Sequence, residues 1–128
     1  MDKKIILTAL ALGFVTIVLG AFGAHALKKV LNPDQIASFE VGVRYMMYHA
    51  LFLLFIGTTQ IFLPEQKKRI YYLTFFGTLL FSGSIFLLST SNVMGMNLKF
   101  LGPVTPIGGL LLITSWLLAL YYVITKKE

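Results

Sequence analysis

Two histidines, His25 and His49, are the only side chains in this sequence whose ordinary titration falls near neutral pH. Both stand at or inside long apolar runs. Around His49 the stretch "FEVGVRYMMYHALFLL" spaces its polar groups at helical intervals. Glu40, Arg44 and Tyr48 recur at i, i+4 and i+8, with the acid before the base, the favourable order for an ion pair along a helix. Gly42, Tyr45, His49, Ile56 and Gln60 fall within about 60° of one another on an adjacent face. On a helix His49 lies about 7 Å deeper than Arg44. An ionisable group at such depth faces the interior of a bundle and pairs there. The first expectation is therefore a neutral His49 donating a hydrogen bond to a neighbouring helix, close to His25. A proton-linked or ligand-binding histidine is the second reading, and a two-histidine metal or haem site the third. No Asp or Glu lies deep in an apolar run to complete a metal site. The Glu40–Arg44 pair reads first as a tie at a membrane interface and second as a substrate clamp. Without cysteine there is no thiolate nucleophile or ligand, and no Ser–His–Asp arrangement can be read. No enzymatic activity and no cofactor are expected.

These residues sit in a chain that cannot cover itself with water-compatible surface. Of its 128 residues 57% are hydrophobic and 12% charged, against about 25% charged in soluble domains. An integral membrane protein follows, multi-pass in the cell membrane, with membrane lipids as its immediate partners. The net charge of +6 comes from short basic clusters flanking the apolar runs. That placement fits topology signals and anionic head groups; nucleic acid is not an expected partner.

Four runs are long enough to cross a hydrocarbon core as helices: residues 5–27, 45–63, 70–91 and 104–125. The fold expected is an all-α, four-helix membrane bundle forming one domain over residues 1–128. "AHA" at 24–26 resembles a cleavage site, but the apolar run before it exceeds the usual length of a signal peptide's core, so an uncleaved span is expected. Asn32-Pro33-Asp34 supplies an N-cap, a proline for the first helical position and an acid for the first turn, so the second helix begins near residue 33. Leu63-Pro64 is expected to end it. Thr105-Pro106 repeats the cap-then-proline pattern before the fourth span. The connection from Asn92 to Thr105 is apolar and is expected to lie along the interface. Seven basic residues (Lys3, Lys4, Lys67, Lys68, Arg69, Lys126, Lys127) flank one side, and four (Lys28, Lys29, Arg44, Lys99) the other. Both termini are thus expected to be cytoplasmic. On this topology His25, Glu40, Arg44, Tyr45, Tyr48, His49 and Thr105 gather in one outer polar layer. Gly20, Gly23 and Ala24 on the first span, Ser82 and Gly83 on the third, and Gly108 and Gly109 on the fourth are expected first to be helix-packing positions; a lipid or ligand groove floored by glycine is the alternative, which nothing in the spacing selects.

The combination of "LGAFGAHALKK", "FEVGVRYMMYHALFLL", "FSGSIFLL" and "PVTPIGG" resembles, in order and spacing, family 423 of the domains of unknown function. That family includes the small bacterial membrane proteins YgdD and YwdK and animal relatives named transmembrane protein 256. The likeness covers about residues 5–125. It implies a four-span inner-membrane protein without an established activity. The signature positions correspond to Gly20, Gly23, His25, Tyr45, His49, Ser82, Gly83, Pro103, Thr105, Pro106, Gly108 and Gly109. One departure is visible: Met46 stands where the family often has Gln. The role expected is structural, lipid-binding or partner-binding, with a homo-oligomer or another membrane protein as the further partner. The alternative is a small oligomeric transporter or channel using a histidine-containing polar layer.

Overall fold

The computed structural model describes residues 1–127. Four helices account for most of the chain: α1 Asp2–His25, α2 Pro33–Thr58, α3 Pro64–Met94 and α4 Val104–Ile124. Short 3-10 turns at Leu27–Lys29 and Lys99–Leu101 sit in the first and third connections. All four helices are long and apolar enough to cross a membrane, and no strand occurs among the described residues.

Local chemistry sets the boundaries. The Asn32 side chain accepts from the Gln35 N–H at 2.8 Å, while the Gln35 side chain accepts from the Asn32 N–H at 2.9 Å. This reciprocal cap, followed by Pro33, starts α2 where the sequence places it. Its end differs from expectation. α2 stops at Thr58, whose hydroxyl bonds back to the Leu54 carbonyl at 2.8 Å, and Thr59 is extended. Pro64 then opens α3 instead of closing α2. Proline costs nothing at a first helical position, and the Gln66 side chain accepts the Leu63 N–H at 2.9 Å. α3 thus reaches 31 residues and ends on Gly95, left-handed at φ 67°. α4 begins at Val104 with no side-chain cap. Thr105 lies inside its first turn and spends its hydroxyl on Ser84 of α3, so it is a tie between helices and not the expected cap.

The extensive seams join consecutive helices: α1 with α2, α2 with α3, α3 with α4. α1 and α4 share no comparable seam, so the assembly is an open sequence of three seams, not a closed ring of four. At the end holding both termini, side chains bridge α1 to α3: Lys67 to Asp2 at 3.2 Å, Thr8 to Tyr71 at 2.8 Å, Lys4 to Tyr72 at 3.1 Å.

Facing pairs give the register. Gly23 lies under Phe39, Gly20 faces Val43, and Gly57 faces Ile5 and Ile6. The Ser82 hydroxyl donates to the Gly42 carbonyl at 2.8 Å, joining α3 to α2. Ser84 meets Thr105, and Gly77 faces Leu112, joining α3 to α4. The first turn of α4 therefore stands level with Ser84 on α3 and with Gly42 on α2. At 1.5 Å per residue the 21 residues of α4 span about the thickness of a hydrocarbon core. α2 and α3 continue past that level by about nine residues, roughly 14 Å. The length of the connection between α3 and α4 now has a cause: it descends alongside α3 to reach the start of α4. Met96 and Phe100 on it are exposed.

The interior changes character along its length. Toward the termini it is aliphatic, with Ile5, Leu53, Ile56 and Ile70 fully buried. At mid-depth it is lined by small hydroxyl residues, Thr16, Thr74, Thr78 and Ser115, and Ser82 continues the row to the level where α4 begins, none of them more than 2% exposed. Thr16, Thr74 and Ser115 return their hydroxyls to carbonyls of their own helices.

Candidate functional site

At the end of the molecule away from the termini, a groove of about 230 Å³ lies between α1 and α2. Gly20, Gly23 and Ala24 of α1 form one wall; Ile36, Phe39, Glu40, Val43 and Arg44 of α2 form the other. A Cβ added at Gly23 would come within 2.9 Å of the Phe39 ring, so the ring occupies space that only glycine leaves. Phe39 is held from behind by Phe86 of α3, ring centres 5.0 Å apart. At Gly20 the same test meets Val43 at 3.5 Å, ordinary contact, so the groove opens there.

The rim carries opposite charges. Arg44 and Glu40 approach to 3.5 Å, with side chains 58% and 54% exposed. Neither makes a side-chain hydrogen bond among the described residues, so most of their donor and acceptor capacity faces outward. Level with Glu40, α4 begins its apolar span, and Arg44 lies one turn further in. The pair therefore stands at the boundary between hydrocarbon and head groups, where a long side chain reaches toward polar surroundings.

His49 lies elsewhere. It is 4% exposed, at mid-depth, and faces α4. Its Nδ1 is 2.7 Å from the Tyr45 carbonyl, which can only accept, so Nδ1 carries the hydrogen. Nε2 then accepts from the indole N–H of Trp116 at 3.0 Å. His49 does bond to a neighbouring helix, but as acceptor, not as the expected donor. Trp116 stacks on Phe52 with centres 4.1 Å apart, completing an aromatic cluster between α2 and α4. Beside it an apolar depression of about 320 Å³ runs from Tyr45 to Trp116 along Phe81 and Gly109.

The residues expected in one outer layer thus separate into three places. Glu40 and Arg44 rim the groove, with Tyr48 exposed one turn further along α2. Thr105 closes the start of the α3–α4 seam. Tyr45 and His49 belong to the aromatic cluster. His25 is exposed at the end of α1. The α1–α2 register puts His49 level with residue 13, about 18 Å along the axis from His25, so the two histidines do not meet. Among the expected packing positions Gly108 is the tightest: a Cβ there would fall 2.9 Å from the Gly77 carbonyl oxygen and nearer still to the Phe81 backbone. Ser82 packs through its bond to Gly42. Gly109 makes ordinary contact with Phe81 at 3.6 Å. Gly83 has nothing within 4 Å of its missing Cβ and is not a packing position, because it faces away from both seams of α3. Ala24 is exposed in the groove wall.

Trp116 is the residue sequence reasoning missed. A lone indole N–H in an apolar run needs an acceptor, and that need was a signal. Which acceptor depends on the level at which α2 and α4 meet through α3.

Comparison with known proteins agrees with this architecture. A family described as "Protein of unknown function (DUF423)" matches residues 19–109, a stretch holding the groove, His49 and the first turns of α4. The chain belongs to this family. A UPF0382 membrane protein of Staphylococcus haemolyticus is 37% identical over 118 residues, covering 92% of each chain. The UPF0382 membrane protein YwdK of Bacillus subtilis is 37% identical over 106 residues, 78% of this chain and 79% of the relative. The UPF0382 inner membrane protein YgdD of Escherichia coli is 32% identical over 123 residues, 91% of this chain and 86% of the relative. No solved structure matches. Relatives named as membrane proteins, together with four spanning helices, make this DUF423 member a multi-pass protein of the cell membrane.

Proposed function

We propose that this protein is a non-enzymatic lipid-binding component of the cell membrane, holding a lipid along the α1–α2 seam, its head at the groove, with both termini cytoplasmic. One observation carries the reading. Glu40 and Arg44 line the groove between α1 and α2, and on the inner side of Arg44 the same seam continues as an apolar depression of about 430 Å³ along Phe14, Ile17, Met47 and Leu51. That sequence of surfaces matches an amphiphile standing in a leaflet, tail along the helices and head at the boundary. The orientation rests on the greater number of basic residues at the terminal end.

The alternative, a small oligomeric transporter or channel, needs a wet path to His49. Burial of His49, with both ring nitrogens engaged by Tyr45 and Trp116, weighs against such a path.

The test is native mass spectrometry of the protein extracted with its surrounding lipid. A stoichiometric lipid is expected on the wild type and absent from Gly20→Leu, whose side chain fills the open part of the groove while leaving the Phe39 ring in place. An unchanged melting temperature shows that the variant is folded. Equal lipid retention by both proteins refutes the groove as the site. Fusions of a cytoplasm-active and an export-active reporter to each terminus check the orientation.

A further inference from the structure

Resting on that reading, we infer that the lipid held at the groove is a phospholipid whose head carries a phosphate and a primary amine, phosphatidylethanolamine. The inference comes from the rim. A groove meant for hydrocarbon alone needs no charge, and one meant for an anionic head would exclude acid. Here Arg44 and Glu40 are both on the lip, one helical turn apart on α2. Their contact at 3.5 Å is a loose pairing of two side chains each more than half exposed. Two exposed, loosely paired charges keep most of their donors and acceptors free for a group that supplies the complementary charges.

Phosphoethanolamine supplies both from one molecule. Its phosphate oxygens accept from the guanidinium, which presents donors in a planar fork suited to phosphate. Its ammonium, two carbons away, donates to the Glu40 carboxylate. Glu40 stands nearer the loop end of α2 than Arg44, so the amine lies outside the phosphate, as it does in a lipid whose tail points inward. Phosphocholine places a quaternary ammonium without N–H donors beside Glu40. It is recognised instead by aromatic faces, and Phe39, the ring in this groove, is buried at 3% exposure. Phosphatidylglycerol brings a phosphate and no cation, leaving Glu40 to repel it. Lys28, which lines the adjacent depression together with Ile36 and Glu40, is a base that could offset that repulsion.

The experiment exchanges defined lipids onto the detergent-purified full chain and reads occupancy by native mass spectrometry. Phosphatidylethanolamine, its N,N-dimethyl form, phosphatidylcholine and phosphatidylglycerol, all with the same acyl chains, compete pairwise. Phosphatidylethanolamine is expected to exceed phosphatidylcholine by about tenfold, the size of one charge-assisted hydrogen bond, with the dimethyl form between them. Glu40→Gln is expected to erase that preference while keeping lipid bound, and Arg44→Gln to weaken all four lipids. Equal binding of phosphatidylethanolamine and phosphatidylcholine overturns this inference and leaves the lipid-binding reading standing. So does a preference for phosphatidylglycerol, which would assign the rim to Arg44 with Lys28. A preference that survives in Glu40→Gln also overturns it. No retained lipid of any kind overturns both readings together.

Discussion

The seam between α3 and α4 and the seam between α1 and α2 are both built on small residues, yet one is closed and the other gapes. At the first, Gly108 lies against backbone of α3 at Gly77, Leu80 and Phe81, so the two main chains approach as closely as atoms allow. At the second, Gly23 lies against the ring of Phe39, and one turn away Gly20 meets a valine at ordinary distance. A glycine opposite backbone makes a seam; a glycine opposite a large side chain makes a wall. In lipid, where hydrocarbon offers helices no hydrophobic push toward one another, that difference decides whether a lipid chain can enter.

The comparison breaks most sharply at Gly108. Gly108→Ala must push α4 off α3, because the obstructing atoms are main chain and cannot rotate away. A loss of about 3 kcal/mol is expected, the upper part of the range for overpacking, read as a fall in the unfolding midpoint during denaturing-detergent titration. A change below about 1 kcal/mol would show that the seam is softer than its geometry.

Next comes Trp116→Phe, which keeps the aromatic contact with Phe52 and removes the N–H that His49 accepts. The cost is expected near 1 kcal/mol by the same titration, because Nε2 is left buried without a donor. No loss would mean that the α2–α4 contact is held by ring packing alone.

A gain is expected from Met46→Gln. One turn from the Ser82–Gly42 bond, the register sets Thr78 opposite Met46. Thr78 is fully buried, and its hydroxyl has no partner. A glutamine amide at this position would supply one, stabilising by about 0.6 kcal/mol, as membrane-embedded hydrogen bonds average. Destabilisation would place the Thr78 hydroxyl beyond reach of residue 46.

The smallest effect belongs to the open seam. Gly20→Ala adds a methyl at ordinary contact distance, and the stability change is expected within about 0.5 kcal/mol. A loss as large as that of Gly108→Ala would erase the distinction between the two seams.

Much of the fold was legible in the chain. Spans follow from apolar length, and the start of α2 from Asn32-Pro33, because a cap and its proline act over a few neighbouring residues. Pro64 was ambiguous for the same local reason: it can close one helix or open the next, and Gln66 reaching back to Leu63 settled the matter. The glycines were legible as a class but not individually. Gly83 and Gly108 look alike in sequence, yet one faces open space and the other a neighbouring backbone, a difference set by helix rotation. The site was half legible. Gly20, Gly23, Ala24, Glu40 and Arg44 all stand out in the sequence, first as packing positions and an interfacial tie, but spacing alone does not choose between close packing and the groove that joins them. The single polar layer failed because the α1–α2 register, Gly23 against Phe39, sets His49 far below the level of His25.

The unequal reach of the helices has a consequence for the surrounding membrane. α4 offers lipid an apolar height of 21 residues, whereas α3 continues with exposed Leu87, Val93 and Met94 beyond the point where α4 begins. The molecule thus presents a thin flank and a thick flank to one bilayer. Tilting, or a leaflet drawn down beside α4, relieves that mismatch at a fraction of a kcal/mol per ångström. Lipid beside α4 thus has a shorter apolar height to match than lipid beside α3.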